Sequence, residues 1–142
     1  MKQRVVFDTS SLVGAILRSG SVPYQALSVA FDFCELCVSA ETLAELKRVL
    51  ARRHFVRYAS MEARLAFIEI IRSEATLVEV VSSQPMDLTP PCRDANDIRF
   101  LALADAAHAD VIVSSDQDLL VLHPWRGIAI LTPAQFLEKF GV

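Results

Sequence analysis

Val5-Val6-Phe7-Asp8-Thr9-Ser10-Ser11-Leu12-Val13 is the stretch that decides the fold. Its first three residues form a short apolar run rich in β-branched side chains, the pattern of a buried strand. The run stops at Asp8. Thr9, Ser10 and Ser11 then supply helix-start chemistry ahead of Leu12-Val13-Gly14-Ala15-Ile16-Leu17. A strand that passes directly into a helix is one half of an alternating unit, and the rest of the chain repeats it.

Gly20 and Ser21 close the first helix, and Pro23 opens a second that runs to about Phe31. Phe33 to Val38 is apolar except for Glu35 and reads as a second strand. Ser39 is placed to cap the next helix, where Leu43, Leu46, Val49 and Leu50 make one stripe at helical spacing. Another helix is expected from about Ser60 to Ile71, with Leu65, Ile68 and Ile71 inward. A third strand is expected over Leu77 to Val81. Pro85, Pro90 and Pro91 mark Ser82 to Arg93 as a loop. A helix follows from about Ala95 to His108, with Ile98, Leu101 and Ala104 inward. Val111-Ile112-Val113 is a fourth strand, Leu119-Leu120-Val121 a short helix or turn, Ile128 to Leu131 a fifth strand, and Pro133 begins a last helix. Strands that are continuous apolar runs, alternating with helices, imply a parallel sheet covered on both faces. The expected fold is therefore α/β, a three-layer α/β/α sandwich with about five parallel strands, in one domain over residues 1–142.

At 142 residues the chain can bury a full core, and its 53% apolar and 22% charged content excludes a disordered protein. The apolar surplus also points to self-association. A formal net charge of -3 argues against binding driven mainly by non-specific attraction to phosphates. The three cysteines, Cys34, Cys37 and Cys92, suggest reduced thiols and a cytosolic setting. No apolar run is long enough to span a bilayer. Lys2 and Arg4 before an apolar stretch resemble a signal peptide faintly, but Asp8 interrupts it and no small-residue cleavage site follows.

In an open parallel sheet, sites form outside the carboxyl ends of the strands. Asp8 ends the first strand and Asp116 follows the fourth after Ser114 and Ser115; if those strands are neighbours, the two carboxylates meet. Glu45 lies beside the apolar stripe of its helix, and Asp97 sits in the first turn of a helix whose N-terminus faces the same edge. Each acid alone has an ordinary explanation: a turn residue for Asp8, an i,i+3 pair with Arg48 for Glu45, a complement to the helix dipole for Asp97, a cap for Asp116. Their joint placement is the signal. Gathered carboxylates repel, and a hard divalent cation such as Mg²⁺ removes that cost while leaving coordination positions for a phosphate oxygen and a water. That is the chemistry of phosphodiester hydrolysis, and it needs no nucleophilic side chain.

These residues also carry a family likeness. Val5-Val6-Phe7-Asp8-Thr9-Ser10 resembles the first motif of PIN domains. The helix Leu43 to Leu50 resembles the second, which supplies Glu45. Cys92-Arg93-Asp94-Ala95-Asn96-Asp97-Ile98-Arg99-Phe100-Leu101 resembles the third, and Val111 to Leu120 the fourth. The likeness covers nearly the whole chain and is nearest to the PIN toxins of toxin–antitoxin systems. It implies Mg²⁺- or Mn²⁺-dependent RNA cleavage, with Asp8, Glu45, Asp97 and Asp116 as metal ligands and Ser114 orienting a metal-bound water. It further implies an RNA substrate, a cognate antitoxin and a homodimer. Two departures stand out: Ser10 where relatives often carry Asn, and Asn96 where they often carry another acid. Asp94 and Asp118 are auxiliary candidates, each with a structural alternative.

Lys47, Arg48, Arg52, Arg53, His54 and Arg57 form a basic cluster just after Glu45. It is a solvated helix face, a hold for RNA phosphates, or a surface for a partner. Cys34-x-x-Cys37 has no second metal-binding pair, and alternation puts its thiols on opposite faces, so both are expected in the core. Trp125 is either a surface anchor or a core plug, and His108 and His123 have no nucleophile beside them. The competing function is a PIN-fold module that binds RNA or protein without cutting. A receiver-type phosphoacceptor also places acids at strand ends, but it wants paired acids after the first strand and a Lys near the last, which this chain lacks.

Overall fold

The hydrophobic runs become strands whose side chains divide cleanly between two faces. The computed structural model describes residues 2–81 and 95–141. Its strands are β1 (Arg4–Phe7), β2 (Glu35–Val38), β3 (Thr76–Leu77), β4 (Val111–Val113) and β5 (Ala129–Leu131). They pair in parallel in the order β3-β2-β1-β4-β5. Its helices are α1 (Thr9–Leu17), α2 (Val22–Phe33), α3 (Ala40–Leu50), α4 (Met61–Glu74), α5 (Ile98–Ala107), α6 (Gln117–Leu120) and α7 (Pro133–Phe140), with 3-10 turns at Arg53–Arg57 and Ala95–Asp97.

Because strand side chains alternate, Val5 and Phe7 point to one layer and Val6 to the other. The first layer gathers Leu36, Val38, Val111 and Val113 against α1, α2, α3, α4 and α7. The second gathers Cys37, Ile112 and Ile130 against α5, α6 and Trp125. Phe136 of α7 meets Phe7 edge-on, with ring centroids 6.0 Å apart at 77°. Fully burying such a ring contributes about 1.5–3 kcal/mol. The fold is thus the expected three-layer α/β/α sandwich.

Cap chemistry fixes where the helices begin. Asp8, Ser21, Ser60 and Thr132 each accept a backbone N–H in the first turn of α1, α2, α4 and α7. Ser39 does the same for α3, in a reciprocal capping box with Thr42.

Three local expectations need correction. The third strand is Thr76–Leu77, not Leu77 to Val81; past it only Val78 N still bonds to Val38 O, at 2.7 Å. On α4 the buried positions are Arg64 and Ile71, while Leu65 stands exposed. Arg64 fills that inward position because its guanidinium donates to Leu50 O, and to Arg52 O at 3.2 Å and Ala59 O at 3.1 Å. A cation there complements the C-terminal end of α3. The 3-10 turn at Arg53–Arg57, pinned by buried Phe55, was not anticipated by any periodic pattern.

The expected cysteine geometry holds: Cys34 packs in the first layer and Cys37 in the second. Burial pushes both thiols above their ordinary range. Trp125 is a core plug, 2% exposed. It begins a tight turn whose Arg126 and Gly127 both have positive φ, closed by Trp125–Ile128 backbone bonds of 3.0 and 2.8 Å. His123 accepts the Ile130 N–H at 2.8 Å through Nδ1. The proline-rich segment, Cys92 and Asp94 lie outside the described residues. Among the described residues no helix is long and apolar enough to cross a membrane.

Candidate metal centre

Strands β1 and β4 are direct neighbours, so their carboxyl ends open at one place. Asp8 N donates to Val113 O at 3.0 Å, locking the end of β1 to the end of β4. Ser114 N donates to Leu131 O at 2.9 Å, which ties the following residue to β5. The two strand ends are then joined through side chains. Ser114 Oγ donates to Asp8 Oδ2 and accepts from Asp116 N at 2.9 Å.

Asp8 is 3% exposed. Its Oδ1 accepts from Ser11 N at 2.9 Å and from Ser10 Oγ at 3.2 Å. Burial pushes its carboxyl above the ordinary range, and the hydrogen bonds from Ser114, Ser11 and Ser10 offset part of that. A buried carboxylate with raised affinity for a proton is one that a bound cation would stabilise strongly.

Asp97, Asp116 and Asp118 each present a carboxylate oxygen within 4.8 Å of the other two. Asp97 arrives from the 3-10 turn that runs straight into α5, and is buried. Asp116 caps α6 by accepting from Asp118 N at 2.9 Å, so the cap bond itself draws the two acids together. Asp118, an auxiliary candidate in the sequence, stands inside this group; Asp8 and Glu45 are not members of it. Asp8 adjoins it through Ser114.

Glu45 projects from α3 with its side chain 11% exposed, and its Oε2 is paired with Arg48 and, at 3.0 Å, with Arg99. The i,i+3 pair with Arg48 was legible in the sequence. Arg99 was not singled out, although it follows Asp97 by two residues. Asn96 is exposed and holds Arg99 through its carbonyl and side-chain oxygens. Lys47, Arg48, Arg52, Arg53 and Arg57 are all exposed, at the end of α3 and on the 3-10 turn.

The donor set is entirely anionic oxygen, without thiolate or imidazole. That chemistry fits a hard divalent cation such as Mg²⁺ or Mn²⁺ and disfavours a soft one.

This architecture defines an α/β protein with acids massed at the carboxyl edge of a parallel sheet, and comparison gives the class its name. A family model described as the PIN domain matches residues 4–118. The chain belongs to the PIN-domain family. An uncharacterized protein of Methanocaldococcus jannaschii is 23% identical, covering 99% of this chain and 93% of its own length. Among solved structures, VapBC2 from Rickettsia felis, bound to a DNA fragment from its promoter, is similar with a TM-score of 0.63 at 14% identity. That match covers 90% of this chain and 97% of the other. PAE2754 from Pyrobaculum aerophilum is similar with a TM-score of 0.61 at 16% identity, covering 96% and 88%. At these identities the likeness speaks for the fold.

Proposed function

We propose that this protein is a divalent-metal-dependent ribonuclease that hydrolyses RNA phosphodiester bonds, the toxin of a type II toxin–antitoxin pair. The observation that carries the proposal is the meeting of Asp97, Asp116 and Asp118 within 4.8 Å beside buried Asp8. Acids from three distant parts of the chain are brought to one sheet edge at an electrostatic cost that folding alone does not require. PIN-family membership supports nuclease chemistry; a protein partner that restrains it is part of the proposal, and the likeness to the VapBC2 structure is one of fold.

Asp97, Asp116 and Asp118 would hold the cation, with Asp8 and Glu45 completing the anionic wall. A bound Mg²⁺ or Mn²⁺ supplies a more acidic water and neutralises charge on the phosphate being cleaved. The chain's own groups do the positioning. Ser114 Oγ, between Asp8 and the Asp116 N–H, fixes the relative placement of two acids. A role for the exposed Lys47, Arg48, Arg52, Arg53 and Arg57 in holding RNA phosphates is part of the same proposal. Homodimerisation and a cytoplasmic setting belong to the same proposal.

Incubating structured RNAs with the wild type and with D97N, with and without EDTA, tests it. Cleavage by the wild type alone, abolished by EDTA, is expected. RNA binding with no cleavage under any metal condition would favour a non-catalytic binding module.

A further inference from the structure

Glu45 is held by cations of its own chain, and the two differ in kind. Arg48 lies on the same helix with its side chain 62% exposed, so water and salt screen its pull. Arg99 comes from α5, is 19% exposed, and meets Glu45 Oε2 at 3.0 Å through Nη1. Its fork is fixed before it reaches Glu45: Nε donates to Asn96 O at 3.1 Å and Nη2 to Asn96 Oδ1 at 3.4 Å. A guanidinium held on two sides loses little freedom when it makes a third bond.

We propose that Arg99 is a positioning residue that competes with the divalent cation for the Glu45 carboxylate, and so sets the cation concentration at which the site loads. The proposal rests on the metal-centre reading above. A carboxylate that is nearly nine-tenths covered needs a positive partner. Asn96, which holds Arg99, directly precedes Asp97, so Glu45 lies beside the acid group; on the metal-centre reading Arg99 and the cation would draw on the same carboxylate while repelling each other. Loading the site therefore means breaking the Glu45–Arg99 pair or admitting a cation beside a fixed positive charge. Asn96 fits this role: its neutral amide aims the fork at Glu45, whereas an acid there would draw Arg99 to itself.

Calorimetric titration with Mn²⁺ alone tests the idea in wild type, R99M, R99Q, R99K, E45Q and the E45Q/R99M double variant. Melting curves in EDTA establish that each variant is folded. R99M and R99Q are expected to bind Mn²⁺ about tenfold more tightly, the size of effect seen between coupled neighbours. R99K keeps the charge and is expected near the wild-type affinity. In the E45Q background most of the gain should vanish. Unchanged or weaker Mn²⁺ binding by the uncharged variants overturns the proposal, as does a gain that survives intact without Glu45. Failure of the wild type itself to bind Mn²⁺ overturns the metal centre and this inference with it.

Discussion

Replacing Asp8 by Asn separates a buried charge held for function from a side chain kept for stability. Asn retains Oδ1 for the Ser11 N–H and the Ser10 hydroxyl, and it caps a helix as well as Asp does. What changes is Oδ2, the acceptor of Ser114 Oγ. Losing a hydrogen bond to a charged group costs about 1.5–3 kcal/mol. Removing a carboxylate that is only 3% exposed returns its desolvation penalty. The balance is fixed by the direction of the Asp8 shift, which is upward even with the Ser114, Ser11 and Ser10 bonds included. Each unit of such displacement is worth about 1.4 kcal/mol. A raised folded-state value means that Asp8 favours folding most below its unfolded value, about 3.9, and loses that contribution as pH rises through the folded value. In EDTA at pH 7, D8N is therefore expected to be at least as stable as the wild type, and any advantage should shrink toward pH 3. With Mn²⁺ at roughly 100 times Kd, the wild type gains about 2.7 kcal/mol by mass action. D8N, lacking one anionic neighbour, gains less, so its stability relative to the wild type falls. Guanidinium unfolding followed by circular dichroism reads both conditions. A D8N variant about 2 kcal/mol or more less stable than wild type in EDTA at pH 7 would refute the reasoning, as would an equal gain from Mn²⁺ in both proteins.

Arg64 is 2% exposed and binds carbonyls at the end of α3. R64M is expected to lose about 3 kcal/mol of stability in denaturant titration, because the buried Leu50 carbonyl is left without its donor. Glu35 is held below the ordinary carboxylate range by hydrogen bonds from Arg4 and Thr76. Its stabilising contribution is present above the unfolded value and lost as pH falls through the folded one. E35Q should accordingly be less stable than wild type at pH 7 and equal to it in strong acid, as melting curves across pH will read. Reversing the exposed charges of Arg52 and Arg53 should weaken RNA binding and flatten its salt dependence; equal salt slopes would assign the cluster to solvent or to a partner.

The sheet was legible because its strands are short, largely apolar runs bounded by caps and turns, β-branched in β1 and β4. Val111–Val113 matches the expected span and β1 agrees to within a residue, while α1 begins earlier than expected, at Thr9, because Asp8 and not one of the following hydroxyls is its cap. β3 was overestimated: Val78 and Val80 do face the second layer, but backbone pairing ends sooner than the apolar pattern does. Arg64 was invisible for a different reason. A charged head with an apolar stem looks like a surface residue until the carbonyls that receive it, fourteen residues back at Leu50, are folded beside it. The same applies at the site. Asp8, Asp97 and Asp116 could be placed from strand ends and helix starts, since those positions follow from the alternating order. The weight of Asp118 depends on a two-residue cap turn at Asp116, and the Arg99–Glu45 pair spans fifty-four residues between helices. Neither distance is written in a periodic pattern.

Crystals soaked in MnCl₂ and measured at the manganese absorption edge locate the cation directly. An anomalous peak within coordination distance of carboxylate oxygens from Asp97, Asp116 and Asp118 is the predicted result. Peaks only at other acids, with these three carboxylates left bare at saturating Mn²⁺, would contradict it.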